Sequence, residues 1–216
     1  MSAIKKSSLL SKESIIVLIL VIFYSVGIVG LLLPSTRDSF LPLSFFNLLL
    51  SFTLLILARK KSLLLFLLFS LVCIFYGYFV ELIGTKTALL FGQYSYGANL
   101  GTKIEGVPLV IGVNWAILVI TSSSITNMIR VNQWTKIILA AALMTLLDIL
   151  IEPVAIKSDF WHWKNGVIPI YNYVCWFLVS LPIIALYFKL NLAETNKVNT
   201  TLFILLTVFF ALLLNV

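Results

Sequence analysis

Apolar runs separated by short polar gaps make up most of this chain. A helix needs about 20 predominantly apolar residues to cross the hydrocarbon core of a bilayer. Seven runs reach or approach that length, at residues 15–33, 41–58, 63–83, 107–128, 137–156, 170–190 and 201–214. The last run is short, so six spans remain an alternative. The pattern predicts an all-α polytopic transmembrane bundle of about seven helices, which forms a single domain over residues 1–216.

Two connections between these runs differ from the others. Residues 84–106 are framed by glycines and contain the sequence QYSYG, whose alternation predicts a small hairpin or a re-entrant cap. Residues 157–169 form the second connection and read KSDFWHWKNGVIP. Since an even number of spans separates the two connections, both are expected on the same side of the membrane.

The composition agrees with lipid as the surrounding solvent. Hydrophobic residues make up 61% of the chain and charged residues 11%, and the mean hydropathy is +1.11. A soluble domain is about half apolar and a quarter charged. The net charge of +7 does not indicate nucleic-acid binding, because the fifteen Lys and Arg residues lie in the gaps or at the end of a run and form no stripe.

The distribution of these basic residues predicts the orientation. With the N-terminus inside, ten of them lie on the inner side and five on the outer side, which favours a cytoplasmic N-terminus. The first run follows Lys5, Lys6 and Lys12, as in a signal peptide. It is too long for a signal h-region, so we expect it to be retained as a helix.

Three acids lie within the predicted spans, where an ionisable side chain costs several kcal/mol. They are Glu81, Asp148 and Glu152. Asp148 and Glu152 are four residues apart and share one helix face. Two carboxyl groups at that spacing in a low dielectric do not both ionise, so at least one should hold a proton at neutral pH and be a potential proton donor.

A structural explanation of the acids is also open. They could pair with Lys86, Lys157 or a loop amide, and Pro153 could kink the helix after Glu152. For Glu81, which lies near the membrane interface, the sequence supports the structural and functional interpretations equally. For the Asp148/Glu152 pair we favour function, because no basic residue lies in the interior of a predicted span to neutralise it, Lys189 being next to the end of the sixth run.

Aromatic residues cluster in the two unusual connections, beside the acids. An interfacial belt is the ordinary explanation for such residues, but a cation over a Trp face also gains about 2 kcal/mol when it is desolvated. Within the spans, Asn114 is next to Trp115, and Asn172 is four residues before Trp176. These residues could orient a water or the acids, or could make interhelical hydrogen bonds. The candidate binding residues are therefore Tyr94, Tyr96, Trp161, Trp163, Asn114, Trp115, Asn172 and Trp176. His162 is expected to be an interfacial polar tip.

Several kinds of chemistry are excluded by missing residues. The chain has one histidine and no Cys/His cluster, and both cysteines lie inside apolar runs as packing residues. It has no aspartate-rich pair for Mg²⁺-diphosphate, no Gly-rich phosphate loop and no lysine within the seventh run. We predict a site with no metal and no cofactor, which works with acids, water and aromatic surfaces.

A series of short motifs resembles the CruF-type carotenoid biosynthesis proteins. They are EL-x-GT-x-T at residues 81–87, FG-x-Y-x-Y at 91–96, LG at 100–101, GVP at 106–108, Asp148, Glu152-Pro153 and W-x-W at 161–163. This family comprises carotenoid 1,2-hydratases, including bisanhydrobacterioruberin hydratases. Two departures stand out: Glu152 replaces the family's usual Asp, and Val-Ile-Pro at 167–169 replaces Gly-Val-Pro.

The resemblance implies hydration of a terminal isoprenoid double bond by protonation and water capture. Our own hypothesis for the roles is that Asp148 or Glu152 donates the proton, and that Glu81 or the partner acid positions and deprotonates the water. Tyr94, Tyr96, Trp161 and Trp163 would line the site of the cation. The implied partners are a carotenoid substrate, membrane lipid and other carotenoid biosynthesis enzymes, and the implied location is the cytoplasmic membrane of a bacterium or archaeon.

A different class of function remains as the alternative. A membrane transporter, or a non-enzymatic protein that binds lipid or carotenoid, would have the same composition. A transporter should show inverted repeats and interrupted helices, and the sequence shows no such symmetry. A lipid-facing tunnel that ends at the acids would favour the hydratase, whereas a water-filled path across the bilayer would favour transport.

Overall fold

Helices account for most of the chain in the computed structural model, which describes residues 11–214. Within that range the helices are α1 (Lys12–Leu32), α2 (Arg37–Phe40), α3 (Leu43–Ala58), α4 (Leu63–Thr87), α5 (Val110–Asn127), α6 (Gln133–Lys157), α7 (Ile170–Lys189) and α8 (Lys197–Leu213). Five of them, α1 and α4 to α7, are long and apolar enough to cross a membrane. The predicted all-α membrane bundle is confirmed in this form.

The predicted count of seven spans depends on two shorter helices. Helix α3 has 16 residues and α8 has 17, so each is about 25 Å long. Both are apolar but fall short of a hydrocarbon core of about 30 Å. Seven spans therefore stay a prediction, while the bundle of apolar helices is established.

The start of the fourth predicted span is wrong. Residues 107–128 were expected to be one apolar helix, but Val107–Pro108 form a strand, β3, that pairs with β2 (Lys103–Ile104). Glu105 and Gly106 make the turn with φ of 52° and 87°, and a two-residue hairpin turn of the I′ type requires positive φ at both positions. The helix begins only after this hairpin, at Val110.

The central helix of the bundle is α5. Fourteen of its eighteen residues are buried, and it packs against α3, α4, α6, α7 and α8. Close approach to α4 depends on glycines: Gly112 lies against the backbone carbonyl of Ile74, and Gly77 lies against the side chain of Trp115. Small residues at helix crossings are typical of membrane bundles, since packing rather than the hydrophobic effect holds the helices together there.

The outer helices present apolar side chains to their surroundings. Leu64, Phe75 and Phe79 on α4 are more than half exposed, and so are Phe23 and Val26 on α1. A soluble protein rarely exposes apolar surface so extensively. Together with the five long apolar helices, this surface shows an integral membrane protein.

Polar connections gather at the two ends of the bundle. At one end Lys60 pairs with Glu13 at 2.7 Å and Arg59 pairs with Glu194 at 3.3 Å. At the other end the Arg37 guanidinium donates to the carbonyl of Lys157 at 3.1 Å. The N-terminal inside orientation stays a prediction, and Lys5 and Lys6, which contribute to it, lie outside the described residues.

The two unusual connections meet at this second end, as expected. Strand β1 (Tyr94–Tyr96) pairs antiparallel with β4 (Trp161–Trp163), so that Tyr94 lies opposite Trp163 and Tyr96 lies opposite Trp161. The QYSYG segment thus forms no hairpin of its own, because its partner strand comes from the other connection. We call the β1–β4 pair the cap.

Candidate functional site

The cap directs four aromatic side chains toward the helices. Because side chains alternate along a strand, Tyr94, Tyr96, Trp161 and Trp163 share one face, and Ser95 and His162 lie on the other. The ring centroids of Tyr94 and Trp163 are 5.0 Å apart, and those of Tyr96 and Trp161 are 6.1 Å apart. His162 is half exposed, in agreement with a polar tip outside the site.

A carboxylate from the turn before β4 holds the cap together on its outer side. Asp159 accepts the Ala98 backbone N–H at 3.0 Å and lies 2.6 Å from His162 Nε2. The Ala98 N–H and then His162 lower the pKa of Asp159. Gly97 lies so close to the Asp159 backbone that a side chain at this position would have no room, which explains the glycine after the YSY strand.

Glu81, on α4, is 3% exposed and binds the tyrosines of the cap. Its Oε2 accepts the hydroxyls of Tyr94 at 2.5 Å and Tyr96 at 2.8 Å, and its Oε1 accepts Trp115 Nε1 at 3.0 Å. Burial, followed by the charge of Glu81, raises the pKa of both tyrosines. The two hydroxyls therefore stay protonated and donate to Glu81.

Glu152, on α6, is 2% exposed and binds the tryptophans of the cap. Its Oε2 accepts Trp161 Nε1 at 2.9 Å and Trp163 Nε1 at 2.7 Å. Its Oε1 accepts Nδ2 of Asn172, on α7, at 3.1 Å. Each acid at the edge of the site is thus tied to one strand of the cap.

Asp148 shares the Asn172 amide with Glu152. Asn172 Nδ2 donates to Asp148 Oδ2 at 3.1 Å as well as to Glu152 Oε1. One nitrogen therefore joins two carboxyl groups, whose oxygens are at most about 6 Å apart. The predicted common face of Asp148 and Glu152 is present, one turn apart on α6. We call Glu81, Asp148 and Glu152 the acid centre.

The three acids differ in the number of donors that they accept. Within residues 11–214, Glu81 and Glu152 each accept three side-chain donors, whereas Asp148 accepts only one. A carboxylate with several N–H or O–H donors is stabilised in its charged form. Asp148 is the acid with the least such stabilisation.

The ion pairs with lysine that the structural explanation allowed are not formed. Lys86 pairs with Glu105 at 2.8 Å, and Lys157 donates to the carbonyl of Leu214 at 2.8 Å. None of the ion pairs in the described part of the chain includes a member of the acid centre. The structural explanation by pairing with these lysines is wrong, and indoles, phenols and one amide are the partners instead.

The acid centre faces a small cavity with aromatic walls. Its free volume is ≈ 20 Å³, which is enough for about one water. The walls are formed by Glu81, Phe91, Tyr94, Tyr96, Ile111, Asn114, Asp148, Ile151, Glu152, Trp161, Trp163, Asn172 and Trp176. All but one of the residues singled out in the sequence thus meet at one place.

The exception is Trp115, which lies behind the wall. It stacks on Trp176 with ring centroids 4.5 Å apart and an interplanar angle of 12°, and it donates to Glu81. Asn114, by contrast, reaches the cavity and makes no side-chain hydrogen bond within residues 11–214. Its amide is free to bind a water or a ligand.

Sequence reasoning missed the apolar part of the wall. Ile151 is three residues after Asp148 and therefore on the same side of α6, a spacing that could have identified it. Phe91 has φ of 65° and is 1% exposed, and its ring lies 5.9 Å from that of Trp176. No pattern in the sequence distinguishes Ile111 from the other apolar residues of α5.

Comparison with known proteins decides the family. The family model described as "Carotenoid biosynthesis protein" matches residues 43–216, about four fifths of the chain. The chain belongs to this family. The resemblance seen in the motifs is thereby confirmed, and every residue of the acid centre and its cavity lies within the matched range.

One curated relative is a bisanhydrobacterioruberin hydratase from Haloarcula japonica. It is 27% identical over 111 residues, which cover 48% of this chain and 38% of the relative. The matched part thus spans well under half the length of that protein. A comparison with solved structures finds no match.

Proposed function

We propose that this protein hydrates the terminal C=C bond of an acyclic carotenoid end group, of the lycopene or γ-carotene type, by protonation and water capture. The observation that carries the proposal is the buried Asp148/Glu152 pair, joined by one amide and facing an aromatic-walled cavity. Family membership supports a carotenoid as the substrate class, and the name of the curated relative supports hydration as the reaction.

The hydrogen bonds indicate which acid donates the proton. Indole N–H groups can only donate, so the two tryptophans of the cap favour Glu152 as an anion. With that negative charge close by and a single donor, Asp148 is better stabilised as the neutral acid. The pair then holds one proton, and it resides on Asp148.

The reaction needs one proton transfer from the protein to the alkene and one from the captured water back to the protein. The Asp148 O–H bond breaks while a C–H bond forms at the less substituted alkene carbon, which leaves a tertiary cation and an Asp148 carboxylate. A water oxygen bonds to the cation, and the resulting oxonium loses a proton to Glu152. That proton returns to Asp148 before the next turnover, so the net change is alkene plus water to tertiary alcohol, with no oxidant or reductant.

The walls of the cavity suit the cationic intermediate. A cation over a desolvated indole gains about 2 kcal/mol or more, and Trp161, Trp163 and Trp176 all contribute to the wall. The charge on Glu152 adds a preorganised counter-charge of the kind that lowers barriers in dry sites. Glu81 holds both tyrosines of the cap in place, and we assign it this positioning role.

The water would bind between Asn114 and Glu152, the acid that later takes its proton. The cavity has room for about one water, and Asn114 offers an amide with no partner within residues 11–214. Glu152 Oε1 accepts one amide N–H, from Asn172, which leaves a second lone-pair direction for a water. The substrate end must therefore enter from the apolar side of the cavity, near Ile111 and Ile151.

Expression in cells that accumulate lycopene or γ-carotene tests the proposal. The extracted pigment should gain one water, and the new oxygen should carry ¹⁸O from labelled water and not from labelled O₂. Unchanged pigment with several acyclic-ended carotenoids would exclude the hydratase and leave a binding or transport protein.

A further inference from the structure

A large apolar groove opens on the side of the bundle. It lies between α1, α2, α3 and α8 and has a volume of ≈ 420 Å³. Phe23, Val26, Leu43 and Phe46 form its rim and are 47–62% exposed. Because these helices present apolar surface to the membrane, the mouth of the groove faces lipid.

A narrow cavity continues from this groove to the acid centre. The narrow cavity has a volume of ≈ 60 Å³ and shares Ser44, Asn47 and Phe209 with the groove. On its other side it shares Asn114 and Trp161, among others, with the cavity at the acid centre. Groove, narrow cavity and acid centre therefore follow one another through common walls.

Along the groove, the narrow cavity and the cavity at the acid centre, charged wall residues in the described part of the chain occur only in the last. Among residues 11–214, no Asp, Glu, Lys or Arg lines the groove or the narrow cavity, and their polar wall residues are uncharged. Three carboxyl groups line the last cavity. An apolar passage that ends at acids suits a hydrocarbon chain with a reactive end, whereas an ion or a column of water would find few partners along it.

We propose that the substrate enters sideways from the bilayer through this groove, and that the groove then holds the isoprenoid chain behind the reacting end. The proposal rests on the proposed function for the identity of the chain. It also predicts a preference for acyclic ends. A cavity of about 150 Å³ accommodates benzene, so a narrow cavity of ≈ 60 Å³ must widen far more for a ring than for a linear end.

Gly27 and Phe209 control the width of the groove. A Cβ at Gly27 would lie 3.5 Å from Phe209 Cε2, an ordinary van der Waals contact. The Phe209 ring in turn packs edge-on against Tyr24 at 5.7 Å. A methyl group at position 27 therefore fits, but a large side chain must occupy the groove itself.

The test is a size series at Gly27 with a matched lipid-facing control. Gly27→Phe should reduce carotenoid conversion by about tenfold or more, and Gly27→Ala, whose methyl group fits, should reduce it far less. Val29→Phe adds the same ring on the same helix at a residue that is 55% exposed and does not line the groove, so it should remain active. Leu50→Phe narrows the groove from α3 and should repeat the Gly27→Phe result.

A second measurement separates this proposal from the proposed reaction. Each change is combined with Asp148→Asn, and the carotenoid that the purified protein retains is quantified by absorbance. Gly27→Phe should lower retention and Val29→Phe should not, whether or not the parent protein hydrates anything. If Gly27→Phe and Val29→Phe both fold and show equal retention and equal conversion, the groove does not hold the substrate, even if the protein is a hydratase. If Gly27→Phe lowers retention but the parent protein hydrates no carotenoid, the groove binds the carotenoid and the proposed reaction is refuted.

Discussion

Replacing Asp148 by Asn tests the assignment of the proton donor most directly. The amide has nearly the same shape, and its oxygen can still accept the Asn172 N–H that Asp148 accepts at 3.1 Å. The fold and the shared hydrogen bond should therefore survive. The substitution removes only the acidic proton, so its effect on the reaction is separable from its effect on stability.

The expected loss follows from the role of a general acid. Positioned acids and bases contribute about 10²- to 10⁴-fold to a rate, which corresponds to roughly 3 to 5.5 kcal/mol of barrier. In the proposed mechanism Asp148 is the one neutral acid that faces the alkene, because Glu81 and Glu152 each accept three donors. We expect Asp148→Asn to be at the upper end of that range.

Changes at Glu152 should show whether the hydration rate depends on the charge of this side chain or on its shape. Glu152→Gln removes the counter-charge and the acceptor of the water proton, so it should also lose about 10²-fold or more. Glu152→Asp keeps the charge and should be clearly more active than Glu152→Gln. Glu105→Gln is the matched control, because Glu105 is an exposed acid whose partner is Lys86.

The assay measures initial rates of hydrated pigment formation with purified protein in carotenoid-containing liposomes. Circular dichroism and retained pigment show that each variant is folded and loaded. If Asp148→Asn keeps more than a tenth of the parent rate, Asp148 is not the proton donor. If Glu152→Gln is fully active as well, the acid pair has no catalytic role.

Three further predictions concern the cap and the bundle. Trp163→Phe removes one N–H bond to Glu152. Because we propose that Glu152 is charged, the loss should cost about 1.5–3 kcal/mol of stability, measured by thermal unfolding in detergent, while Val29→Phe should cost little. Gly112→Ala should destabilise the bundle by more than 1 kcal/mol, because its Cβ would meet the backbone carbonyl of Ile74; an unchanged melting temperature would contradict this packing. The pKa of Asp159 is lowered in the folded state, so its stabilisation of the cap is present above the unfolded value of about 3.9 and is lost as the pH falls through the folded value. Tryptophan fluorescence should show a transition in that acidic window that Asp159→Asn abolishes, and an identical transition in both proteins would refute the contribution.

Local patterns in the sequence were sufficient for the helices and for part of the site. The length of each apolar run predicts a helix, because the bilayer requires about 20 apolar residues in succession. The helical period places Asp148 and Glu152 on one face without any tertiary information. Counting spans places the two aromatic connections at one end of the bundle, where the strands of the cap do pair.

Hydropathy failed where a chain segment was apolar but not helical. Val107 and Pro108 belong to an apolar run, yet their backbone is set by the turn at Glu105 and Gly106. Hydropathy reports only the preference for an apolar environment and contains no information on φ. The signal that was available is the Glu-Gly pair itself, since it suits a tight hairpin turn.

The arrangement of the acid centre was decided only by the tertiary structure. Strands of three residues carry too little pattern to choose a partner, so the pairing of β1 with β4, more than sixty residues apart, depends on how α4 and α6 are packed around α5. That packing also selects the tyrosines for Glu81, the tryptophans for Glu152, and the Asn172 amide for the pair. A single sequence records which acids are present, but the number of donors around each acid, which distinguishes Asp148 from Glu152, arises only when distant elements meet.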